Sequence, residues 1–162
     1  MKVLGIDPGT AACGYGVVHE SGGRLKAVDY GWWKTPAGER PELRLRTIFD
    51  GVSEVIEEFE PRAVVLEESF VGVDARTALS VGQARGAVLV AAASFDVECA
   101  EYAPSRVKQA VCGYGRAEKA QVQRMVTAIL GLRTPPTPQH ASDALAVAIC
   151  HALASPLLRA TG

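Results

Sequence analysis

The sequence predicts an α/β fold, a mixed five-stranded sheet with helices on both faces. Three observations carry that prediction. The first 34 residues read as three extended segments joined by turns, a meander. Two further short extended runs, at 63–66 and 97–102, each follow a helix-length segment. The last third of the chain is patterned as helices.

Each element has its own signal. Residues 2–7 form an apolar run that ends in Asp7, and Pro8 to Thr10 turn the chain. Residues 14–19 resume an extended pattern, Ser21-Gly22-Gly23 is a turn signal, and 25–34 is a third strand ending near Trp32 and Trp33. Pro41 opens a helix in which Leu45, Ile48, Phe49, Val52, Val55, Ile56 and Phe59 recur at helical spacing. Glu54, Glu57, Glu58 and Glu60 fall on its solvated face, and Pro61 closes it. The continuous apolar run at 63–66 reads as a buried strand in a parallel part of the sheet, ended by Glu67 and Glu68. Residues 75–95 read as a helix, 97–102 as the fifth strand, and 105–112 and 117–131 as helices separated by Gly113-Tyr114-Gly115. A proline-rich loop at 133–138 precedes a last helix at 140–158, with Thr137 as its expected N-cap and Pro138 at its first position.

Size and composition exclude several classes of function. The chain has 162 residues, which fits a single domain over 1–162 with a short tail from about 156. Its formal net charge is −1, so overall basicity does not point to nucleic acid. No 18-residue apolar span suggests a membrane helix, and the start lacks the layout of a signal peptide. The four cysteines form no C-x-x-C pair, so they read as reduced, mostly buried thiols of a cytoplasmic protein.

An acidic constellation suggests chemistry. Asp7 ends the first strand, Glu67 ends the fourth, and His140 and Asp143 share one face of the last helix at a spacing of three. If strands one and four are neighbours, their carboxyl ends converge where open α/β sheets place their sites. Acids and an imidazole crowded together need a cation among them. Oxygen ligands with one nitrogen suit two divalent ions, Mg²⁺ or Mn²⁺, which support phosphodiester hydrolysis.

Six stretches carry a resemblance: "GIDPGT", "GYGVV", "LEESF", "GQARGAV", "VKQAVCGYGRAEKAQVQ" and "HASDALAVAI". In order and spacing they resemble the RuvC Holliday-junction resolvases over residues 2 to about 155. That resemblance implies a ribonuclease H-like fold and a homodimer that nicks opposed strands of a four-way DNA junction. It further implies partnership with a branch-migration motor of the RuvA–RuvB type, and action at the nucleoid. By position, the catalytic and metal-binding residues are Asp7, Glu67 and Asp143, with His140 standing where relatives often carry Asp. Glu67 rather than its neighbour Glu68 matches the motif. Lys108 and Lys119 match basic positions, and with Arg116 they lie in a basic stretch suited to phosphate. Phe70 matches an aromatic near the junction. The chain departs from the family's Lys-Asn after it, carrying Val73-Asp74 with Arg76 nearby. Gly82 and Gly86 make a flat helical strip that fits either the sheet or the dimer interface.

Rival readings are a sugar kinase or actin-like ATPase, a catalytically dead junction-binding module, and a ribonuclease H-like nuclease acting on other branched or hybrid nucleic acids. The first needs two related domains, more than 162 residues supply. The intact acidic set speaks against the second. A substrate panel separates the third.

Overall fold

A computed structural model describes residues 1–68 and 74–154. The five strands are β1 (Lys2–Pro8), β2 (Ala12–Ser21), β3 (Arg24–Lys34), β4 (Ala63–Glu67) and β5 (Glu98–Tyr102), in the sheet order β3-β2-β1-β4-β5. β1 pairs antiparallel with β2, and β2 with β3, which is the expected meander. β1 pairs parallel with β4, and β4 with β5. The chain leaves β1 toward one edge and β4 toward the other, so their carboxyl ends flank the crevice where such sheets hold ligands.

The helices are α1 (Pro41–Phe59), α2 (Ala75–Ser94), α3 (Pro104–Cys112), α4 (Lys119–Ile129) and α5 (Gln139–Leu153). Pro41 and Pro104 open α1 and α3, where a missing N–H costs nothing. Asp74 caps α2, accepting the Thr77 amide at 3.0 Å and its hydroxyl at 2.8 Å. That gives half of the Val73-Asp74 departure a local role; Val73 lies outside the described residues. α3 ends where Gly113 turns left-handed at φ 87°.

Strand alternation divides the core between two layers. Leu4, Ile6, Val17, Val64 and Leu66 face α1 and α2. Val3, Val18, Val65, Ala100 and Tyr102 face α3, α4 and α5. α5 is buried nearly all round, because it is sandwiched between the sheet and the α3–α4 pair. Its run of alanines lets both neighbours come close.

Several expectations need correction. The last helix starts at Gln139, with Pro138 in the N-cap position and no side-chain cap from Thr137. It ends at Leu153, and Ala154 is already extended. The expected continuation to 158 and the tail from about 156 lie outside the described residues. α4 spans Lys119–Ile129 rather than 117–131, since Ala117 and Glu118 still belong to the connection. The four cysteines are free thiols, as expected.

Two glycines in the meander set how near α5 can lie. A Cβ at Gly5 would overlap the Ala144 carbonyl oxygen, and one at Gly14 would overlap the His140 carbonyl oxygen. Backbone cannot give way as a flexible side-chain end can. Gly5→Ala and Gly14→Ala are therefore expected to destabilise the fold by about 1–3 kcal/mol or more, as overpacked cores do. Gly82 and Gly86 meet nothing within 4 Å. Alanine there is expected to be neutral or to stabilise α2 by about 0.5–1 kcal/mol. Chemical denaturation of the four variants checks the contrast.

Candidate active site

Asp7 and Glu67 lie one step beyond Ile6 and Leu66, the last residues that pair β1 with β4. Alternation turns both side chains toward α5, because Gly5 and Val65 already face that layer. The close seat of α5 brings His140 and Asp143 to the same place. A pocket of about 380 Å³ is lined by Asp7, Glu67, His140 and Asp143, by Lys108 of α3 and Lys119 of α4, and by an apolar wall that includes Val107, Val122 and Val147. All four residues of the acidic constellation and both lysines thus meet in one cavity.

The hydrogen bonds show how the carboxylates are paired. His140 Nδ1 lies 2.8 Å from Asp7 Oδ2. A Cβ at Gly9 would come within 2.9 Å of the His140 ring, so Gly9 of the GIDPGT turn leaves room for it. Lys119 Nζ lies 3.1 Å from Asp143 Oδ2. Arg44 of α1 donates to the Thr10 carbonyl and ties down the turn that follows Asp7.

The titration of the site follows from crowding. Burial raises the Glu67 carboxyl first, and the charges of Asp7 and Asp143 raise it further; Lys108 and Lys119 pull it back. Burial also raises Asp143 first, then Asp7 does, against Lys119 and His140. The hydrogen bond to Asp7 is the main cause that raises His140. Three carboxylates face two lysines, and the imidazole completes the balance only when it is protonated.

That donor set fits divalent cations. Among the described residues no three His, Cys, Asp or Glu side chains close on a single point. The acids stand round an open pocket instead. Such an arrangement suits ions that complete their shells with water and substrate phosphate rather than an all-protein cage.

Other expected residues fall elsewhere. Glu67 and Glu68 are both exposed residues at the end of β4, but only Glu67 lines the pocket, so Glu67 is the inward acid. Arg116 is exposed in the α3–α4 connection, off the pocket wall. Arg76 is exposed in the first turn of α2, in the opposite layer. Phe70 lies outside the described residues. Gly82 and Gly86 face open space rather than the sheet, so the strip does not pack inward. Sequence reasoning missed Arg44 and Arg85, whose partners are distant in the chain and leave no local signal.

Known proteins share this architecture. The family described as Crossover junction endodeoxyribonuclease RuvC matches residues 3–151. The chain is 53% identical to the crossover junction endodeoxyribonuclease RuvC of Moorella thermoacetica over 96% of its own length and 93% of the relative's. The structure of Thermus thermophilus RuvC superposes with a TM-score of 0.86 at 42% identity, covering 94% of this chain and 93% of that one. T. thermophilus RuvC in complex with Holliday junction substrate gives the same TM-score of 0.86 at 40% identity and the same coverage, 94% and 93%. The fold is ribonuclease H-like.

Carboxyls raised by burial and mutual repulsion penalise the folded state when ionised. The penalty is absent below the unfolded carboxyl range and grows as pH rises through the folded pKa. The raised His140 works in the same sense, since its contribution is full below about 6.5 and is lost as pH rises through its folded pKa. Glu67→Gln is therefore expected to raise the melting temperature of the metal-free protein at neutral pH. The gain should vanish in acid, where Glu67 is protonated in both states. Calorimetric scans of both proteins across pH check this.

Proposed function

The chain belongs to the RuvC family of crossover junction endodeoxyribonucleases, and we propose that it resolves four-way (Holliday) DNA junctions by phosphodiester hydrolysis in the pocket of Asp7, Glu67, His140 and Asp143. Family membership makes it a metal-dependent nuclease. The observation that carries the residue assignment is the convergence of three carboxylates and an imidazole from β1, β4 and α5 on one pocket with a basic rim.

Asp7, Glu67, Asp143 and His140 would hold two divalent ions, Mg²⁺ or Mn²⁺. Such ions, when bound, supply charge that activates water and stabilises the leaving oxygen in an in-line displacement at phosphorus. The protein's own groups do the rest. Asp7 is oriented by His140, which prevents its carboxylate from turning away. Lys119, exposed on α4, sits on Asp143 and is free to move onto a phosphate when that acid engages a cation. Lys108 stands near Glu67 on the adjoining wall. Val107, Val122 and Val147 exclude water from one side and strengthen every charge interaction in the pocket. The expected products carry 5′-phosphate and 3′-hydroxyl ends, which ligase rejoins.

Affinity for DNA at a net charge of −1 requires a local basic surface. Lys108 and Lys119 provide one on the pocket wall, with the exposed Arg116, Arg76 and Phe70 as further proposed contacts. Residues 1–162, with a short tail from about 156, act in this reading as a single nuclease domain, since strands β1 and β4 and helices α3, α4 and α5 build one pocket around one sheet.

A homodimer would place two such pockets about a two-fold axis, matching two like strands of a junction. The support is α2, whose outer face leaves Leu79 65% and Val90 59% exposed beside the open Gly82 and Gly86. A branch-migration motor of the RuvA–RuvB type is the proposed partner on the junction. Among the described residues no helix is long and apolar enough to cross a membrane. Action at the nucleoid belongs to the same proposal.

Cleavage of mobile and immobile four-way junctions under Mg²⁺ and Mn²⁺, beside RNA–DNA hybrids, tests the substrate. Asp7→Asn is expected to abolish cleavage while junction affinity changes less than about threefold, because phosphate contacts carry the affinity. Cleavage within about tenfold of wild type would remove Asp7 from the site. Glu67→Gln should behave like Asp7→Asn, and Glu68→Gln should be mild.

Lys108→Ala and Lys119→Ala are each expected to flatten the slope of log K against log salt by roughly 0.7–0.9 for every phosphate the lysine neutralises. Binding titrations over a salt series measure it.

A nitrogen ligand favours Mn²⁺ over Mg²⁺. His140→Asp is expected to lower the ratio of Mn²⁺-supported to Mg²⁺-supported cleavage rates. An unchanged ratio would leave the three carboxylates alone to choose the metal.

A further inference from the structure

Arg85 does not line the pocket, yet it touches the backbone of an active-site residue. It projects from the middle of α2, on the face of the sheet opposite α5. Its Nη1 donates to the carbonyl oxygen of Glu67 at 2.7 Å. Its Nη2 donates to the carboxylate of Glu101 at 2.5 Å. The side chain is only 12% exposed, against 41% for Glu101.

The register explains why this contact sits where it does. Leu66 pairs with Glu101 and Glu67 with Tyr102, so β4 and β5 end side by side. Ala100 and Tyr102 face α5, which turns Glu101 the other way, toward α2. On its other side, the ladder from β4 to β1 stops at Leu66 and Ile6. The peptide that carries the Glu67 carbonyl is held at its N–H by β5, where Glu68 N–H donates to the Tyr102 carbonyl at 2.8 Å, and Arg85 supplies the donor for the carbonyl itself. The planar fork of a guanidinium spans a carbonyl and a carboxylate in one fixed geometry, which the rotating donors of an ammonium do not impose.

We propose that Arg85 is a positioning residue for the catalytic centre. By holding the Glu67 carbonyl on the α2 side, and being held itself by Glu101, it fixes the peptide from which the Glu67 carboxylate projects into the pocket. The inference rests on the assignment of Glu67 as a metal-binding residue. Its consequence is specific: loss of the fork loosens the site's grip on divalent cation without removing any group that touches the cation or DNA. Contacts of this outer kind commonly change metal affinity by about 10–100-fold.

The test is calorimetric titration of Mn²⁺ into the full chain, without DNA, for wild type, Arg85→Met, Arg85→Lys and Glu101→Gln. Melting temperature and metal-free junction binding are measured beside it. Arg85→Met is expected to weaken Mn²⁺ binding about tenfold or more, with Arg85→Lys and Glu101→Gln between it and wild type. Junction binding in EDTA should stay within about threefold of wild type, since the phosphate contacts remain. A merely structural tie would lower the melting temperature and leave Mn²⁺ affinity within about twofold, a result that overturns the proposal. If Arg85→Met does not fold, Arg85→Lys and Glu101→Gln decide by the same criterion. Wild type that binds no Mn²⁺ would overturn the metal assignment of the acids and this proposal with it. A Mn²⁺-binding wild type with unaffected variants would overturn the role of Arg85 alone.

Discussion

Helix α5 lies against the sheet with backbone on backbone, and the active-site geometry depends on that approach. Gly5 and Gly14 are two places where a side chain is missing so that the Ala144 and His140 carbonyls can occupy the space. A helix held off by ordinary side chains would lie several ångströms further out, since packed elements usually sit about 10 Å apart. His140 would then lose its 2.8 Å contact with Asp7. The glycines near the start of the chain and the alanine-rich helix near its end are thus two halves of one surface. Their fit sets the position of two of the four candidate ligands.

Close packing creates the electrostatic condition of the site. Strands β1 and β4 deliver a carboxylate each, and α5 delivers a third with an imidazole. Burial and mutual repulsion hold Glu67 and Asp143 above their ordinary range. The protein partly balances the charge with groups that are themselves useful, His140 on Asp7 and Lys119 on Asp143. An exposed lysine–carboxylate pair contributes little to stability. Its interest lies in being readily exchanged, so the same lysine can serve the acid before catalysis and a phosphate during it. Arg85 and Arg44 hold the backbone beside Glu67 and Asp7 from the other side of the sheet. The pocket is therefore built by both layers, although only one layer lines it.

Much of this was legible in the chain because the signals are local. Apolar runs, helical spacing and turn residues located all ten elements, since apolar segments bounded by turn signals mark what each strand or helix must bury. Helix ends were read less well. Thr137 carries the chemistry of a cap but does not make the bond, and α4 begins two residues later than its pattern suggested. The acidic set, Lys108 and Lys119 were legible because motif spacing, joined to a parallel β1–β4 pair, implies convergence. Arg116 and Arg76 carried the same charge signal but do not line the pocket, since composition does not say which surface a side chain joins.

The sequence by itself determined the order of the elements, helices on both faces of the sheet and the identity of the four residues around the pocket. These rest on periodicity, turn chemistry and motif spacing, which act over a few residues at a time. Only the tertiary structure decided how near α5 comes, which charged group pairs with which acid, and that Gly82 and Gly86 face outward. It also gave Arg85 its place, joining α2 to the ends of β4 and β5. Those outcomes depend on distances between segments up to 133 residues apart, as in the His140–Asp7 bond. Such distances are set by how whole faces pack, and no local pattern encodes them.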